Sequence, residues 1–377
     1  MHYDVIVIGG GIVGTASAAH VAATGRSVLL LERASLGAGA SGRNSGVVQH
    51  PFDPVMVDLY RETVGLYRGL PTRTDGAFRL GEEPAGMLMV STDPDVARSL
   101  TDEVAAALPD VEATYLAPGA VTALEPAFAP DVAACRLDIA FPVEPIAATR
   151  AYGQAAQQAG ATIREGVEAR PIVRHGRVHG VETREPGGTA DVRIAAETII
   201  VAAGPWSPAV IDPSGAWQPI RPLWGAVVDA LLDEPPGHAT EEVWTGVEPS
   251  DEHPDHAFSL VTAGGRSSIG SCFVADEPDP AAITPVLLDR ARRFVPAIAG
   301  ARLGATRVCA RPLSLDERPL VGPIPGVEGL YIAAGHGPWG ISTGPAAATL
   351  LVDLLDARRA VPAAFDPGRF GSVPTGG

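Results

Sequence analysis

The sequence contains no lysine; all 28 of its basic residues are arginine. That excludes Schiff-base chemistry and the phosphate-binding lysine of a P-loop, and it leaves no ammonium side chain for an active site. Cysteine is scarce as well. Cys135, Cys272 and Cys309 are too few and too scattered for a disulfide framework or a zinc site. The nine histidines show no H-E-x-x-H or comparable ligand spacing, so no metal centre is expected. Positive charge is short: 28 basic residues against 44 acidic give a formal charge of −16, which disfavours nucleic acid and anionic membrane as partners. No apolar run reaches the roughly 18 residues of a membrane span. No basic n-region or cleavage site precedes the first strand, so no signal peptide and a cytoplasmic location are expected. There is no internal repeat and no low-complexity segment.

At 377 residues the chain exceeds one ordinary domain, and two intertwined domains with ample core are expected. The first 33 residues organise it. Val5-Ile6-Val7-Ile8 is an apolar run that predicts a parallel strand buried on both faces. Gly9, Gly11 and Gly14 follow at G-x-G-x-x-G spacing. Thr15 to Thr24 is alanine-rich and predicts a helix ending at Gly25. Val28-Leu29-Leu30-Leu31 predicts a second buried strand, closed by Glu32 and Arg33. Each part has a task in holding a dinucleotide. Gly9 permits the tight turn, and Gly11, Ile12 and Val13 bring backbone to a pyrophosphate. Gly14 lets the helix pack on the strand, so its positive end faces the phosphates. Glu32 accepts hydrogen bonds from a ribose diol and repels a 2′-phosphate. The bland alternative is an ordinary tight turn between strand and helix.

Further along, Gly37 to His50 is too glycine-rich for a regular element yet rich in hydrogen-bonding groups. Leu59–Leu70 predicts a helix and Gly86–Ser91 a strand. Asp93 and Pro94 read as N-cap and first residue of a helix to about Leu108, and Ala117–Pro130 reads as loop. A helix is predicted over Ile146–Ala159. Short strands are predicted near Thr162–Arg164, Glu168–Arg174, Val178–Thr183 and Asp191–Ile194, with a buried strand from Glu197 to Ala203. Pro219–His256 is proline- and acid-rich. Leu260–Ala275 predicts antiparallel strands, Ile283–Phe294 a helix, Gly329–Ala334 a strand and Ser342–Asp356 a final helix. The tail after Arg359 is expected to fray. A helix end after the turn Gly335–Ile341 would stabilise negative charge on a bound group through the N–H groups of Gly340, Ile341 and Ser342; a purely conformational glycine turn is the alternative.

These residues carry a resemblance. Glu32-Arg33, the run Gly39-Ala40-Ser41-Gly42-Arg43-Asn44-Ser45-Gly46, Glu144-Pro145, Ala202-Ala203-Gly204-Pro205-Trp206-Ser207, Arg311-Pro312-Leu313-Ser314-Leu315-Asp316, Pro319-Leu320-Val321-Gly322 and Gly335-His336-Gly337-Pro338-Trp339-Gly340-Ile341 keep their order over the whole chain. The chain resembles the D-amino-acid oxidase superfamily of FAD-dependent oxidoreductases, in its glycine oxidase, sarcosine oxidase and D-amino-acid dehydrogenase branch. The resemblance implies an α/β fold, α+β overall: a Rossmann-like FAD domain of the glutathione-reductase type (1–50, 141–214 and 306–377) with an inserted antiparallel-sheet substrate domain (51–140 and 215–305). It implies FAD, contacted by Ala40, Ser41, Arg43, Asn44, Ser45, Gly46, Ala169, Ala203, Gly204, Trp206, Gly225, Gly337 and Trp339. Arg43 has a solvated loop charge as its alternative.

The arginine of this R-P-x-x-x-D motif, Arg311, pairs by resemblance with a substrate carboxylate, a match of fork to carboxylate; an ion pair with Asp316 is the alternative. Cys309 falls where sarcosine oxidases link flavin covalently, against the commoner inert buried thiol. His336 lines the flavin or is a satisfied loop histidine. His50 resembles a histidine of the 2-hydroxyglutarate-oxidising branch. Of Trp206, Trp224 and Trp339, the last is favoured as a pocket wall. Two departures stand out. A second arginine of the glycine oxidase pattern is replaced by Pro338-Trp339, and the lysines that sarcosine oxidases use are absent, so oxygen or another acceptor stays open.

The expected chemistry is oxidation of a C–N bond in a small carboxylate-bearing amine, with an imine that hydrolyses and no protein base required. The rivals are a 2-hydroxy-acid dehydrogenase with His50 or His336 as base, a flavin subunit of an electron-transfer complex, and a nicotinamide-dependent reductase. Oligomeric state stays open.

Overall fold

Val5–Ile8 are buried on both faces because parallel neighbours and helices enclose them. In the computed structural model, which describes residues 2–74, 76, 78–185, 192–243 and 256–373, the strand His2–Ile8 lies at the middle of an eight-stranded sheet. It pairs in parallel with Val28–Glu32 on one side and with Val192–Val201 on the other. Thr162–Glu165 extends the first side; Leu330–Ala334 and Leu320–Pro323 extend the second. Helices Ile12–Ala22, Ala147–Gln158 and Gly340–Leu355 share one apolar cluster.

The sequence predicts two strands where the structure has one. Val192–Val201 pairs antiparallel with Arg177–Arg184 through its first residues and parallel with His2–Ile8 through the rest. No glycine or proline interrupts Ile194-Ala195-Ala196-Glu197, so the strand runs through while its partners change. Asp191, the expected start of the first of the two, lies outside the described residues, as do 244–255 of the stretch Pro219–His256.

The second sheet is also eight-stranded, in the order Arg302–Ser314, Ile220–Leu231, Arg266–Cys272, His256–Ala263, Ala239–Glu242, Met87–Ser91, Ala133–Leu137, Ala113–Leu116. Ile220–Leu231 lies in the stretch that reads as proline- and acid-rich. Pro222 is tolerated because pairing with Arg266–Cys272 begins only at Val227. Gly264 and Gly265, with φ of 57° and 74°, form the two-residue turn of the central hairpin. Helix Pro280–Phe294 packs on this sheet, capped by Asp279 Oδ1 accepting from Ala281 N–H at 3.1 Å.

Four further expectations change. The resemblance places residues 51–80, within 51–140, in the substrate domain. Met56, Leu59, Tyr60, Tyr67, Leu70 and Phe78 instead join the apolar cluster under the first sheet, and the Tyr67 hydroxyl donates to Ile341 O at 2.7 Å. Arg302–Ser314 lies whole in the antiparallel sheet, so the segment from 306 to 314 does too. The loop-like stretch 117–130 holds a helix, Pro118–Leu124, with proline at its start. The tail is docked as far as Val373. Phe365 and Val373 are buried, Val321 N–H donates to Phe365 O at 2.8 Å, and Arg369 grips Asp316 with two bonds of 2.7 and 3.0 Å. Among the described residues no helix is long and apolar enough to cross a membrane.

Candidate active site

The first strand ends in a turn that only glycine can make. Gly9 has φ +115°, and a Cβ on Gly14 would stand 1.9 Å from Gly9 O, so the helix Ile12–Ala22 begins hard against the strand end. Its N-cap, Gly11, offers no side chain; Ser41 Oγ accepts from Ile12 N–H at 2.9 Å instead. Both Glu32 oxygens turn inward, accepting from Gly10 N–H at 2.7 Å and Ala34 N–H at 2.8 Å. Arg33 stacks on the Trp206 ring, 4.1 Å from its centre. These groups open onto a cavity of about 490 Å³ that extends to Arg311 and His336.

The expected cofactor residues divide. Gly9, Gly11, Ile12, Val13, Glu32, Arg33, Ala40, Ser41, Arg43, Asn44, Ala169, Ala203, Gly204, Trp206, Gly337, Gly340 and Ile341 line the cavity, as do Cys309, Arg311 and His336. Gly14, Ser45, Gly46, Gly225, Trp339, Ser342 and His50 do not line it. Gly14 supports the turn from behind. Gly46, at φ +86°, lets the chain pass Val143 O before Val47–Val48 pairs with Phe141–Pro142. The Ser342 hydroxyl is turned away, accepting from Gln49 N–H at 2.9 Å. Trp339 packs edge-on against Phe52 at 6.2 Å, so the tryptophans at the cavity are Trp206 and Trp224, against expectation.

The glycine-rich loop contains a short helix, Ala40–Arg43, which its composition did not predict. Asn44 builds it: the side-chain amide donates to Ala40 O and Ser41 O at 3.0 and 2.9 Å, and its oxygen accepts from Gly46 N–H at 2.8 Å. The antiparallel sheet then grips this loop. Arg43 Nη1 donates to Val308 O at 3.1 Å, and Arg307 Nη1 donates to Asn44 O at 2.7 Å.

At the far end, Arg311 lies across Gly225. A Cβ there would sit 2.0 Å from Arg311 Nη1, so Gly225 provides the bed for the guanidinium rather than a cofactor contact. Nη1 donates to Cys272 O at 3.0 Å, Nη2 to Ser271 Oγ at 2.6 Å, and Phe273 lies beneath at 4.9 Å. Asp316 is taken by Arg369. Among the described residues Arg311 has no ion-pair partner.

His336 is buried beside the start of the last helix. Its Nδ1 lies 2.9 Å from Thr343 Oγ1, and that hydroxyl donates to Trp339 O at 2.9 Å. Nδ1 therefore carries the proton, and Nε2 is an acceptor, buried and without a partner. Burial pushes the imidazole pKa down to about 4, so it is neutral at pH 7. His50 is held elsewhere, with Nδ1 2.7 Å from Pro51 O and its ring against Tyr60. Cys309 is opposite Gly225 in the strand ladder, and burial raises its thiol pKa against the pull of Arg311, Arg307 and Arg43.

A family model described as FAD dependent oxidoreductase, DAO, matches residues 4–354. The chain belongs to this family. It is an FAD-dependent oxidoreductase. It is 26% identical over 396 residues to a glycine oxidase of Pseudomonas putida (98% of this chain, 100% of the relative), and 27% identical over 384 residues to one of Geobacillus kaustophilus (98% and 96%). The crystal structure of the glycine oxidase from Geobacillus kaustophilus superposes with a TM-score of 0.81 at 25% identity, covering 100% of both chains. The residues present fit FAD. An inward acid stands at the nucleotide turn, glycines bring backbone to the pyrophosphate position, and the orphan acceptor His336 Nε2 sits by the last helix.

One titratable group escaped the sequence reading. Glu241 stands beside Gln49 and within the field of Arg311, and burial raises its carboxyl pKa to about 7. Glu241 and Glu242 fall in the stretch that reads only as proline- and acid-rich, and strand pairing reveals their position.

Proposed function

We propose that the protein oxidises the C–N bond of a small amine bearing a carboxylate, such as glycine, a D-amino acid or an N-alkyl amino acid, giving an imine that hydrolyses. The observation that carries this is Arg311: a guanidinium laid over Gly225 at the cavity wall, hydrogen-bonded to neutral groups and without an ion-pair partner among the described residues. A fork held in that way matches a bidentate carboxylate. The relatives named glycine oxidase support the same class.

Bound FAD supplies the two-electron acceptor for the substrate's α-hydrogen. The chain's residues supply the rest. Glu32 would take the ribose hydroxyls, and the N–H groups of Gly11 and Val13 would take the pyrophosphate, that of Ile12 being given to Ser41 Oγ. The N–H groups of Gly340 and Ile341 would present a positive helix end where negative charge develops, and neutral His336 Nε2, an acceptor, is open to a donor of the bound group. Arg311 fixes the substrate carboxylate, which orients the α-carbon and makes the encounter effectively intramolecular.

The unpartnered His336 Nε2 favours a second reading, a 2-hydroxy-acid dehydrogenase in which it accepts the hydroxyl proton. An anaerobic panel of glycine, sarcosine, D-alanine, glycolate and 2-hydroxyglutarate decides, with flavin bleaching as readout. Amines alone should bleach. Bleaching by hydroxy acids alone would sink the amine reading, and admitting air then measures how well oxygen serves as acceptor.

A further inference from the structure

Glu241 is the third residue of the strand Ala239–Glu242. It opposes Ser259, Ser259 opposes Gly270, and Gly270 opposes Val227. Two residues before Val227 lies Gly225, opposite Cys309, itself two residues before Arg311. Cross-strand partners and alternate residues share a face, so Glu241 and Arg311 stand on one face of the antiparallel sheet. Ala239 and Val261 on this face pack with Val47, from the segment that follows the nucleotide-side loop. Gly270 and Ser259, between them, are small; Val227 and the Ser259 hydroxyl close over Gly270. Two strand spacings, roughly 10 Å, separate Glu241 from the strand whose Ser271 and Cys272 hold the Arg311 guanidinium. A small zwitterion with one hydrogen bond at each end has about that span.

The surroundings of Glu241 fit a ligand. Its side chain is only partly exposed, and burial is the main influence on its carboxyl. Gln49 reaches it from the loop after Val47–Val48. Gln49 Nε2 is close enough to favour the charged carboxylate, but it is out of bonding geometry and without a hydrogen-bond partner, and the residue is 4% exposed. Among the described residues Arg311 is the charged group that acts on Glu241. The adjacent Glu242 points to the other face and is held by Arg290 at 2.7 and 2.5 Å.

We propose that Glu241 receives the amino group of the substrate: while Arg311 holds the carboxylate, the Glu241 carboxylate pairs with the ammonium and takes one of its protons. One N–H bond breaks and one O–H bond forms. The electron pair stays on nitrogen, where it drives departure of the α-hydrogen with its electrons. The inference rests on the amine-oxidation reading and supplies the base that the sequence alone did not offer. A carboxyl that titrates near 7 is suited to the task, and an arriving ammonium favours its ionised form.

The test uses holoenzyme and whichever of glycine, sarcosine or D-alanine bleaches the flavin. Glu241→Gln should lower kcat/KM at pH 7 by about 10²–10³-fold and shift its pH dependence toward the pKa of the free amine, with Glu241→Asp recovering part. Binding of propanoate, a carboxylate without the amine, should stay unchanged or tighten in Glu241→Gln, as read by calorimetry. An unaltered kcat/KM and pH profile in Glu241→Gln overturns the proposal, and so does an equal loss of propanoate binding, which marks a merely structural role. If the variants fail to fold, the wild-type protein decides. Propanoate affinity should rise as pH falls through 7, because protonation removes the facing negative charge, and a flat profile overturns the assignment. Should no amine bleach the flavin, the amine reading itself falls; indifference of Glu241→Gln with amines that do bleach removes this inference alone.

Discussion

Arg311 and Gly225 work as one device, and neither role follows from the residue alone. The sequence marks Arg311 through its motif, but Gly225 reads only as a glycine near a cofactor loop. The structure makes it the floor under the guanidinium. Gly225→Ala should therefore displace Arg311 and raise KM for the amino acid by about 10–10²-fold, while Arg311→Met costs about 10²–10³-fold. The double variant should be no worse than Arg311→Met, because both act through the same contact. Steady-state kinetics with FAD content checked by absorbance measures this. Additive losses would show that Gly225 acts by another route. His336 was legible as a residue near the flavin, but its neutral charge and free Nε2 depend on Thr343 and Trp339, which the turn brings together.

Among elements, the opening strand, turn and helix are the most legible because their signals are local: apolar run, glycine spacing, alanine-rich stretch. Gly14→Ala tests that element. Its Cβ would stand 1.9 Å from Gly9 O, a backbone atom that cannot yield without moving the first strand. A loss of at least about 3 kcal/mol is expected, with poor FAD retention. Gly65→Ala is the control. It lies within the helix Val57–Gly69 with nothing within 4 Å of an added Cβ, and should be neutral or stabilising by up to about 1 kcal/mol. Urea midpoints decide, and equal behaviour of the two variants would refute the packing argument. Other elements were illegible for physical reasons. The helix Ala40–Arg43 depends on Asn44 bonding back to its carbonyls, and the strand Ile220–Leu231 contains a proline whose missing N–H no central partner needs.

For the whole molecule, two buried histidines set the response to acid. His20 and His336 both have pKa values lowered to about 4 by burial, and Nε2 of each is buried without a partner. Between pH 6.5 and 4 the unfolded chain binds more protons than the folded one, so stability falls as pH falls through that window. Each contributes on the order of 3 kcal/mol. Glu241 acts oppositely: its pKa is raised to about 7, so its contribution is present at low pH and is lost as pH rises from 4.5 to 7. Two groups outweigh one. The urea midpoint of the holoenzyme should fall between pH 6.5 and 4, and His20→Phe should flatten that fall. A midpoint that is flat or rises on acidification would contradict the assignment.

Local patterns in the sequence determined the dinucleotide turn, its acid, the order of the motifs and hence the family, because glycine spacing and apolar runs act between neighbours in the chain. Tertiary structure decided which residues meet. It moved the helix near 57–69 beneath the first sheet, turned Trp339 away from the cavity and seated Arg311 on a glycine 86 positions earlier. It also brought Glu241 onto the face of Arg311. Those outcomes depend on strand register, and register is set by pairing between segments far apart in sequence, whose local composition carries no record of it.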